Sequence, residues 1–174
     1  KDAGKIQGKA FVGTNGGSKS DGTQTSKGGD MVADLLVRDF ACNALFYDPI
    51  NKTIIDPSGH GVDDAKEKKL SIPVPKAQWD KWSTTSPQNP LRYWKFIGRG
   101  YAPADEETRK FVIGKGCKGI ETGKCLNGFF RGVPGHPDSG HKKNSKKAKA
   151  YKAAVIADKG SDWWNSYISP QVGF

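Results

Sequence analysis

Two histidines in the last third of the chain carry side chains that could transfer protons near neutral pH. His136 and His141 lie in a glycine-rich basic segment, with Arg131 before them and Lys142 after them. Imidazole can act as a general acid or a general base, and a nearby cation can stabilise negative charge developing on a phosphate. The pattern is compatible with a metal-independent ribonuclease. The alternative is a basic loop whose histidines have no catalytic role.

The same region contains Cys117 and Cys125, which together with the two histidines invite a zinc site. The interval between the cysteines is wider than the two to four residues that separate the ligands of a compact zinc knuckle. The two cysteines could instead form a disulfide or stay reduced. We therefore predict no metal site from these residues.

The densest positive charge in the chain follows the histidines and is predicted to contact RNA. It consists of Lys142, Lys143, Lys146, Lys147, Lys149 and Lys152. In a helix that begins after Ser145, three of these lysines recur at every third position and drift around one broad face. Such a face can follow a phosphate backbone. The alternative is an ordinary solvated helix face.

The overall composition also indicates a polyanionic partner. The chain has 28 Lys and Arg against 18 Asp and Glu, a formal net charge of +10. Clustered basic side chains release counterions when they bind phosphates, although charge can also serve solubility alone. No apolar run approaches the roughly 20 residues that span a bilayer, so we expect no membrane partner.

Periodicity predicts short helices and a hairpin in the first half of the chain. Residues 1–30 are polar and glycine-rich, with one possible strand at "KAFV". The apolar spacing from Met31 predicts a helix over 31–44. "ALFYDPINKTIIDP" is typical of a hairpin around a tight turn, and "VDDAKEKKL" of a short helix.

The second half is predicted to be mainly helical. "NPLRYWKFIGRG" places a proline in the first turn of a helix, where its missing N–H is harmless. "ADEETRKFVIGKG" predicts another helix, ended by Gly114 or Gly116. Residues 117–144 are predicted to be irregular. A last helix runs from a Ser145 cap to Gly160, and the aromatic tail that follows is expected to dock on the body.

Four segments of the chain, in order, resemble motifs of the CCA-adding enzyme and bacterial poly(A) polymerase family. They are "DLLVRDFACNALFY" at 34–47, "IIDPSGHGVDDAKEKKL" at 54–70, "NPLR" at 89–92 and "ETR" at 107–109. The resemblance extends over about residues 18–112. It implies an α+β fold with a truncated nucleotidyltransferase-like head and a helical neck over 31–112. The N-terminal segment 1–30 precedes this region, and a Gly/Lys-rich C-terminal extension, 113–174, follows it.

The resemblance also implies a nucleotide site. Arg38 and Asp39 match the positions at which the family holds the ribose and phosphates of the incoming nucleotide, although the preceding arginine is here Val37. Asn89 and Arg92 match the motif that contacts the edge of the base. An amide at position 89 donates as well as accepts hydrogen bonds and carries no charge, so the base preference is expected to differ.

The carboxylates that nucleotidyl transfer needs are not evident. The reaction uses metal ions held by carboxylates, and the family places an Asp-x-Asp pair before the matched region. No Asp-x-Asp occurs in the 174 residues. The adjacent Asp63 and Asp64 would point to opposite faces of an extended chain. Mg²⁺ is therefore expected only if nucleotidyl transfer is retained.

The favoured interpretation is an RNA-binding domain that engages a tRNA 3′ end without polymerising nucleotides by itself. One alternative is a toxin-like C-terminal domain of a larger secreted bacterial protein, acting on tRNA as a ribonuclease or nucleotidyltransferase. Another is part of a split nucleotidyltransferase completed by upstream sequence. The chain begins at Lys1 rather than methionine, which favours a longer or processed polypeptide. We expect a cytoplasmic site of action, delivery as part of a secreted protein, and a partner or inhibitor protein that masks the basic surface.

Overall fold

Residues 31–82, 88–123 and 130–173 are described by a computed structural model and divide into two units. The first unit holds residues 31–67 and 71–82, and the second holds 68–70, 88–123 and 130–173. Helices and two small two-stranded sheets confirm the predicted α+β class. The strand predicted at "KAFV" lies outside the described residues.

The first unit is built from short elements. They are α1 (Met31–Asp34), the 3₁₀ turns Leu35–Val37 and Ala41–Asn43, β1 (Phe46–Asp48), β2 (Thr53–Ile55), α2 (Gly61–Glu67) and the 3₁₀ turn Lys76–Gln78. The hairpin and the short helix after it are confirmed. In the hairpin, Tyr47 lies opposite Ile54, and both side chains are exposed.

The single helix predicted over 31–44 is wrong, because the backbone is extended at Arg38 and Phe40. Two tertiary hydrogen bonds account for the break. The Trp82 indole donates to the Arg38 carbonyl at 2.6 Å, and the Ala41 N–H donates to the Ser71 carbonyl at 3.0 Å. These bonds replace helical ones and let the Phe40 side chain become fully buried.

The second unit is mainly helical. It contains β3 (Lys69–Leu70), α3 (Gln88–Ile97), β4 (Ala102–Pro103), α4 (Glu106–Glu121), a 3₁₀ turn (Pro137–Ser139) and α5 (Lys146–Lys159). Strands β3 and β4 pair in parallel. The predicted cap is confirmed, since the Ser145 hydroxyl accepts the Ala148 N–H and α5 ends at Gly160. No helix in the described part of the chain is long and apolar enough to cross a bilayer.

The aromatic tail docks as predicted. Residues 161–172 are helical and include a π-helical turn at Trp164–Ile168. Trp164 and Ile168 are fully buried, and the Trp164 ring lies 6.3 Å from that of Tyr151 in α5. Large aromatic side chains contribute strongly to burial, so the tail completes the core of the second unit.

Helix α4 continues past both glycines that were predicted to end it. A Cβ at Gly116 would lie only 2.4 Å from the Pro90 Cδ atom of α3, whereas a Cβ at Gly114 would meet nothing within 4 Å. Gly116 therefore serves the close packing of two helices rather than helix termination. Rules based on local helix signals do not predict that role.

The two glycines give matched variants with effects of opposite sign. Gly114→Ala should raise the free energy of unfolding by about 0.5–1 kcal/mol, because alanine favours the helix and the position is open. Gly116→Ala should lower it by about 1–3 kcal/mol through overpacking against Pro90. Chemical denaturation of both variants measures the difference. Changes of the same sign would contradict the packing of α3 on α4.

Candidate functional site

The first predicted nucleotide ligands lie at the break that follows α1. The Arg38 Nε atom donates to the Asp34 carboxylate at 2.5 Å, and its guanidinium carbon lies 5.7 Å from the centroid of the Phe46 ring. Asp39 is buried and accepts a hydrogen bond from the Asn43 amide at 3.0 Å. Arg38 and Asp39 thus both pair with residues of their own motif, and these contacts stabilise the conformation of the segment.

The glycine-containing loop of the second motif caps α2. Asp56 accepts hydrogen bonds from the Ser58 hydroxyl at 2.6 Å and from the Val62 N–H at 3.0 Å. Burial alone would raise the pKa of Asp56, but these bonds outweigh it and hold that pKa below its ordinary value. Gly61 begins the helix where a Cβ would lie 2.4 Å from the Ala41 carbonyl oxygen. The loop is therefore a packed cap.

The adjacent carboxylates of α2 have different surroundings. Asp64 is buried and accepts a hydrogen bond from the Ser71 hydroxyl, whereas Asp63 is exposed and lies 3.9 Å from the Lys66 ammonium. No group of three or more His, Cys, Asp or Glu side chains in the described ranges could hold a metal ion. The described residues thus do not fit the magnesium site that nucleotidyl transfer requires.

The zinc alternative has only part of its ligand set among the described residues. Cys117 is buried, and that burial raises the pKa of its thiol to about 12. A zinc ligand must be a thiolate, so this environment disfavours metal binding. Cys125 lies outside the described residues.

Helix α3 carries the other predicted nucleotide ligands. Asn89 is buried in its first turn, and Arg92 is exposed. Lys95, which the sequence interpretation missed, follows Arg92 at a spacing of three and so shares a face of α3 with it. Arg99, also missed, lies in the turn that follows the helix. The spacing of Lys95 from Arg92 was the signal available in the sequence.

A fourth cation reaches this face from α5. Lys95 is partly buried, and its Nζ atom donates to the Gly132 carbonyl at 3.2 Å. Its burial, together with the charges of Arg99, Arg92 and Lys147, lowers the pKa of Lys95. Arg92, Lys95, Arg99 and Lys147 are called the basic cluster below.

Gly98 allows the close approach of the two helices that bear the basic cluster. A Cβ at this position would lie 3.1 Å from the Tyr151 nitrogen and 3.2 Å from the Ala150 carbonyl carbon. Backbone therefore meets backbone where α3 ends. The contact brings Lys147, one turn earlier in α5, into electrostatic range of Lys95.

The six lysines predicted to bind RNA have different environments. Lys143 donates to the Gly173 carbonyl at 2.7 Å, and the Lys152 ammonium lies 5.3 Å from the centroid of the Trp164 ring. Lys147 belongs to the basic cluster. The remaining three are exposed and are called the outer lysines: Lys142, Lys146 and Lys149.

Residues 11–71 match the family model of the poly(A) polymerase head domain. This segment is nucleotidyltransferase-like. The match confirms the resemblance over its first two motifs, while residues 11–30 lie outside the described part of the chain. No curated protein and no solved structure matches the chain.

The two histidines lie on one turn, beyond the head-domain segment. His136 Nδ1 accepts the Asp138 N–H at 3.0 Å, so the proton of the neutral ring is on Nε2. The Ser139 hydroxyl donates to the His136 carbonyl at 2.8 Å and accepts the His141 N–H at 3.2 Å. Arg131 lies 3.4 Å from the Asp138 carboxylate. These contacts shape the turn through backbone groups and one ring nitrogen.

The "ETR" segment, also beyond the head-domain segment, contributes to a polar junction of three helices. Asp158 of α5 accepts hydrogen bonds from the Trp94 indole of α3 at 2.9 Å and from Arg109 Nε of α4 at 2.8 Å. The hydrogen bond to Asp158 raises the pKa of Arg109 above its ordinary value. Arg109 thus has a structural role in the second unit.

Proposed function

We propose that this protein is an RNA-binding domain related to nucleotidyltransferases, which engages a tRNA 3′ end and does not polymerise nucleotides by itself. The head-domain match supports the relationship. The absence of an Asp-x-Asp pair from the sequence supports binding without polymerisation. RNA contact is assigned to the outer lysines, with Arg38 and Arg92 as nucleotide contacts.

The exposure of Lys146 and Lys149 on a firmly held helix is the observation that carries the proposal. Ala148, Tyr151 and Val155 bury the opposite side of α5, and Ser145 caps its first turn. Lys146 and Lys149 are therefore presented from a fixed backbone, about 4.5 Å apart along the axis. Prepositioned cations of this kind lose little backbone entropy when they bind phosphates.

Arg38 suits a nucleotide contact because its guanidinium is oriented before any ligand arrives. Its ion pair with Asp34 uses Nε, and 24% of its side chain stays exposed. A guanidinium held in this way can offer its remaining N–H groups to a phosphate or a ribose oxygen. Arg92, exposed on α3 of the second unit, is proposed as a nucleotide contact in its own right.

Removing two outer lysines should weaken RNA binding and reduce its dependence on salt. For Lys146→Ala with Lys149→Ala, the slope of log K against log[salt] should fall in magnitude by about 1.5, since each lost phosphate contact contributes about 0.7–0.9. Fluorescence anisotropy with labelled tRNA across a salt series measures this slope. The matched control is Lys110→Ala with Lys118→Ala, which removes two exposed lysines of α4. Equal slopes in the two double variants would contradict the proposal.

The same assay tests recognition of the 3′ end. Intact tRNA should bind more tightly than tRNA lacking its last three nucleotides, whereas equal affinities would exclude 3′-end recognition.

A histidine ribonuclease is the second candidate function, favoured by the turn that holds His136 and His141 together through Ser139. Shortened tRNA after incubation with EDTA, lost in His136→Ala, would support that candidate instead.

A further inference from the structure

The basic cluster differs from the outer lysines because its cations converge. Arg92 and Lys95 share one face of α3, Arg99 follows in the turn after that helix, and Lys147 lies in α5, whose backbone packs against Gly98 of the same turn. Of the outer lysines, Lys146 and Lys149 lie on the solvent side of α5, opposite its buried residues, and Lys142 precedes the helix. A helix turns about 100° per residue, so Lys147 cannot share the outer face with Lys146 and Lys149.

The convergence is built into the packing of the second unit. The Gly132 carbonyl holds the Lys95 ammonium at 3.2 Å, and Gly98 permits the helix contact that brings Lys147 close. The Arg99 guanidinium carbon lies 5.8 Å from the centroid of the Phe96 ring, which restricts its position as well. Lys95 and Arg99 are thus fixed beside the contact with α5, and like charges crowd there.

Such crowding is unfavourable in the unbound protein. The charges that act on Lys95 are all positive, and together with burial they disfavour its protonated form. An anion bound between the cations would relieve this repulsion. The relief is greatest for a compact group with several negative charges, because a single phosphodiester carries only one.

We propose that the basic cluster is a binding site for a multiply charged phosphate group. The class includes pyrophosphate, the phosphate chain of a nucleotide and the terminal monophosphate of an RNA. Arg92 and Arg99 would bind the oxygens in bidentate fashion, and Lys95 and Lys147 would act as point charges between them. This site is separate from the surface proposed for the RNA backbone.

Isothermal titration of the full chain with inorganic pyrophosphate tests the site. Pyrophosphate should bind at least tenfold more tightly than orthophosphate. Arg99→Gln with Lys147→Gln should weaken that binding at least tenfold, whereas Lys146→Gln with Lys149→Gln should leave it within twofold. Equal loss in both double variants, or no pyrophosphate binding to the unmodified protein, would overturn the proposal. Because Arg99 and Lys147 are exposed, their replacement should leave the melting temperature unchanged or higher, which separates loss of the site from loss of the fold.

Further titrations distinguish the sources of the phosphate. ATP serves as one ligand, and a short RNA with a 5′-monophosphate is compared with the same RNA bearing a 5′-hydroxyl. Binding of ATP, or a preference for the phosphorylated RNA, supports the site and names its source when it disappears in Arg99→Gln with Lys147→Gln. ATP binding that persists in that variant counts against the site. Binding of neither would overturn its assignment to nucleotide or RNA phosphates. Failure of the RNA-backbone proposal would appear instead as an unchanged salt slope in the outer-lysine variants.

Discussion

Replacing Asp158 with alanine is expected to lower the free energy of unfolding of the second unit by about 2–3 kcal/mol. Its carboxylate is only 12% exposed and accepts hydrogen bonds from Trp94 and Arg109. The substitution would leave the buried Trp94 N–H without an acceptor and remove one of the two carboxylates that pair with Arg109. The other, Glu106, accepts from Arg109 Nη1 at 2.8 Å and would remain, so most of the expected loss comes from the unsatisfied indole at the junction of α3, α4 and α5.

Two further variants test whether the loss of stability comes from the charge of Asp158 itself or from the removal of any carboxylate in this part of the chain. Asp158→Asn keeps an acceptor oxygen but not the charge, so an intermediate loss is expected. Asp162→Ala removes an exposed carboxylate four residues later and should change stability by no more than about 0.5 kcal/mol. Urea unfolding followed by tryptophan fluorescence measures all three. If Asp158→Ala were as stable as Asp162→Ala, the junction would not stabilise the unit.

Gly61→Ala is expected to destabilise the first unit by about 3 kcal/mol. The added Cβ would lie 2.4 Å from the Ala41 carbonyl oxygen and 3.1 Å from a Leu45 methyl. The nearest obstacle is backbone, so the clash cannot be relieved by a rotamer change. The start of α2 must move away from the 3₁₀ turn at Ala41–Asn43, which would disturb both matched motifs of the head-domain segment.

Gly59→Ala in the same loop is the control for Gly61→Ala. Gly59 has a φ of +78° and open space around its Cβ position, so only a conformational cost of about 1–2 kcal/mol is expected. Residue-resolved hydrogen exchange of α2 amides compares the two variants. A larger loss of protection in Gly59→Ala than in Gly61→Ala would contradict the packing described for Gly61.

Elements governed by local sequence were predictable, and those governed by distant partners were not. The hairpin, α2, α3 and α5 follow from turn residues, periodicity and the Ser145 cap. The break after α1 depends on Trp82, which is 44 residues beyond the Arg38 carbonyl it contacts. Likewise, the reason for a glycine at position 116 is the close approach of Pro90, which is 26 residues earlier in the chain. Local patterns carry no information about such contacts.

The candidate sites divide in the same way. Arg92 was predicted from its motif, and the position of Lys95 on the same helix face could have been found from its spacing. That Lys147 joins them, while Lys146 and Lys149 stay on the outer face, depends on how α5 packs on α3. The partners of Lys143 and Lys152 are Gly173 and Trp164, which lie far along the chain.

The crowding of the basic cluster also implies that ionic strength acts in opposite directions on the unbound protein and on the complexes proposed above. Salt screens the mutual repulsion of the four cations, so moderate salt should favour the folded second unit. The same salt would weaken attraction to a polyanion. Conditions that best preserve the purified protein would therefore not be those in which the proposed complexes are tightest.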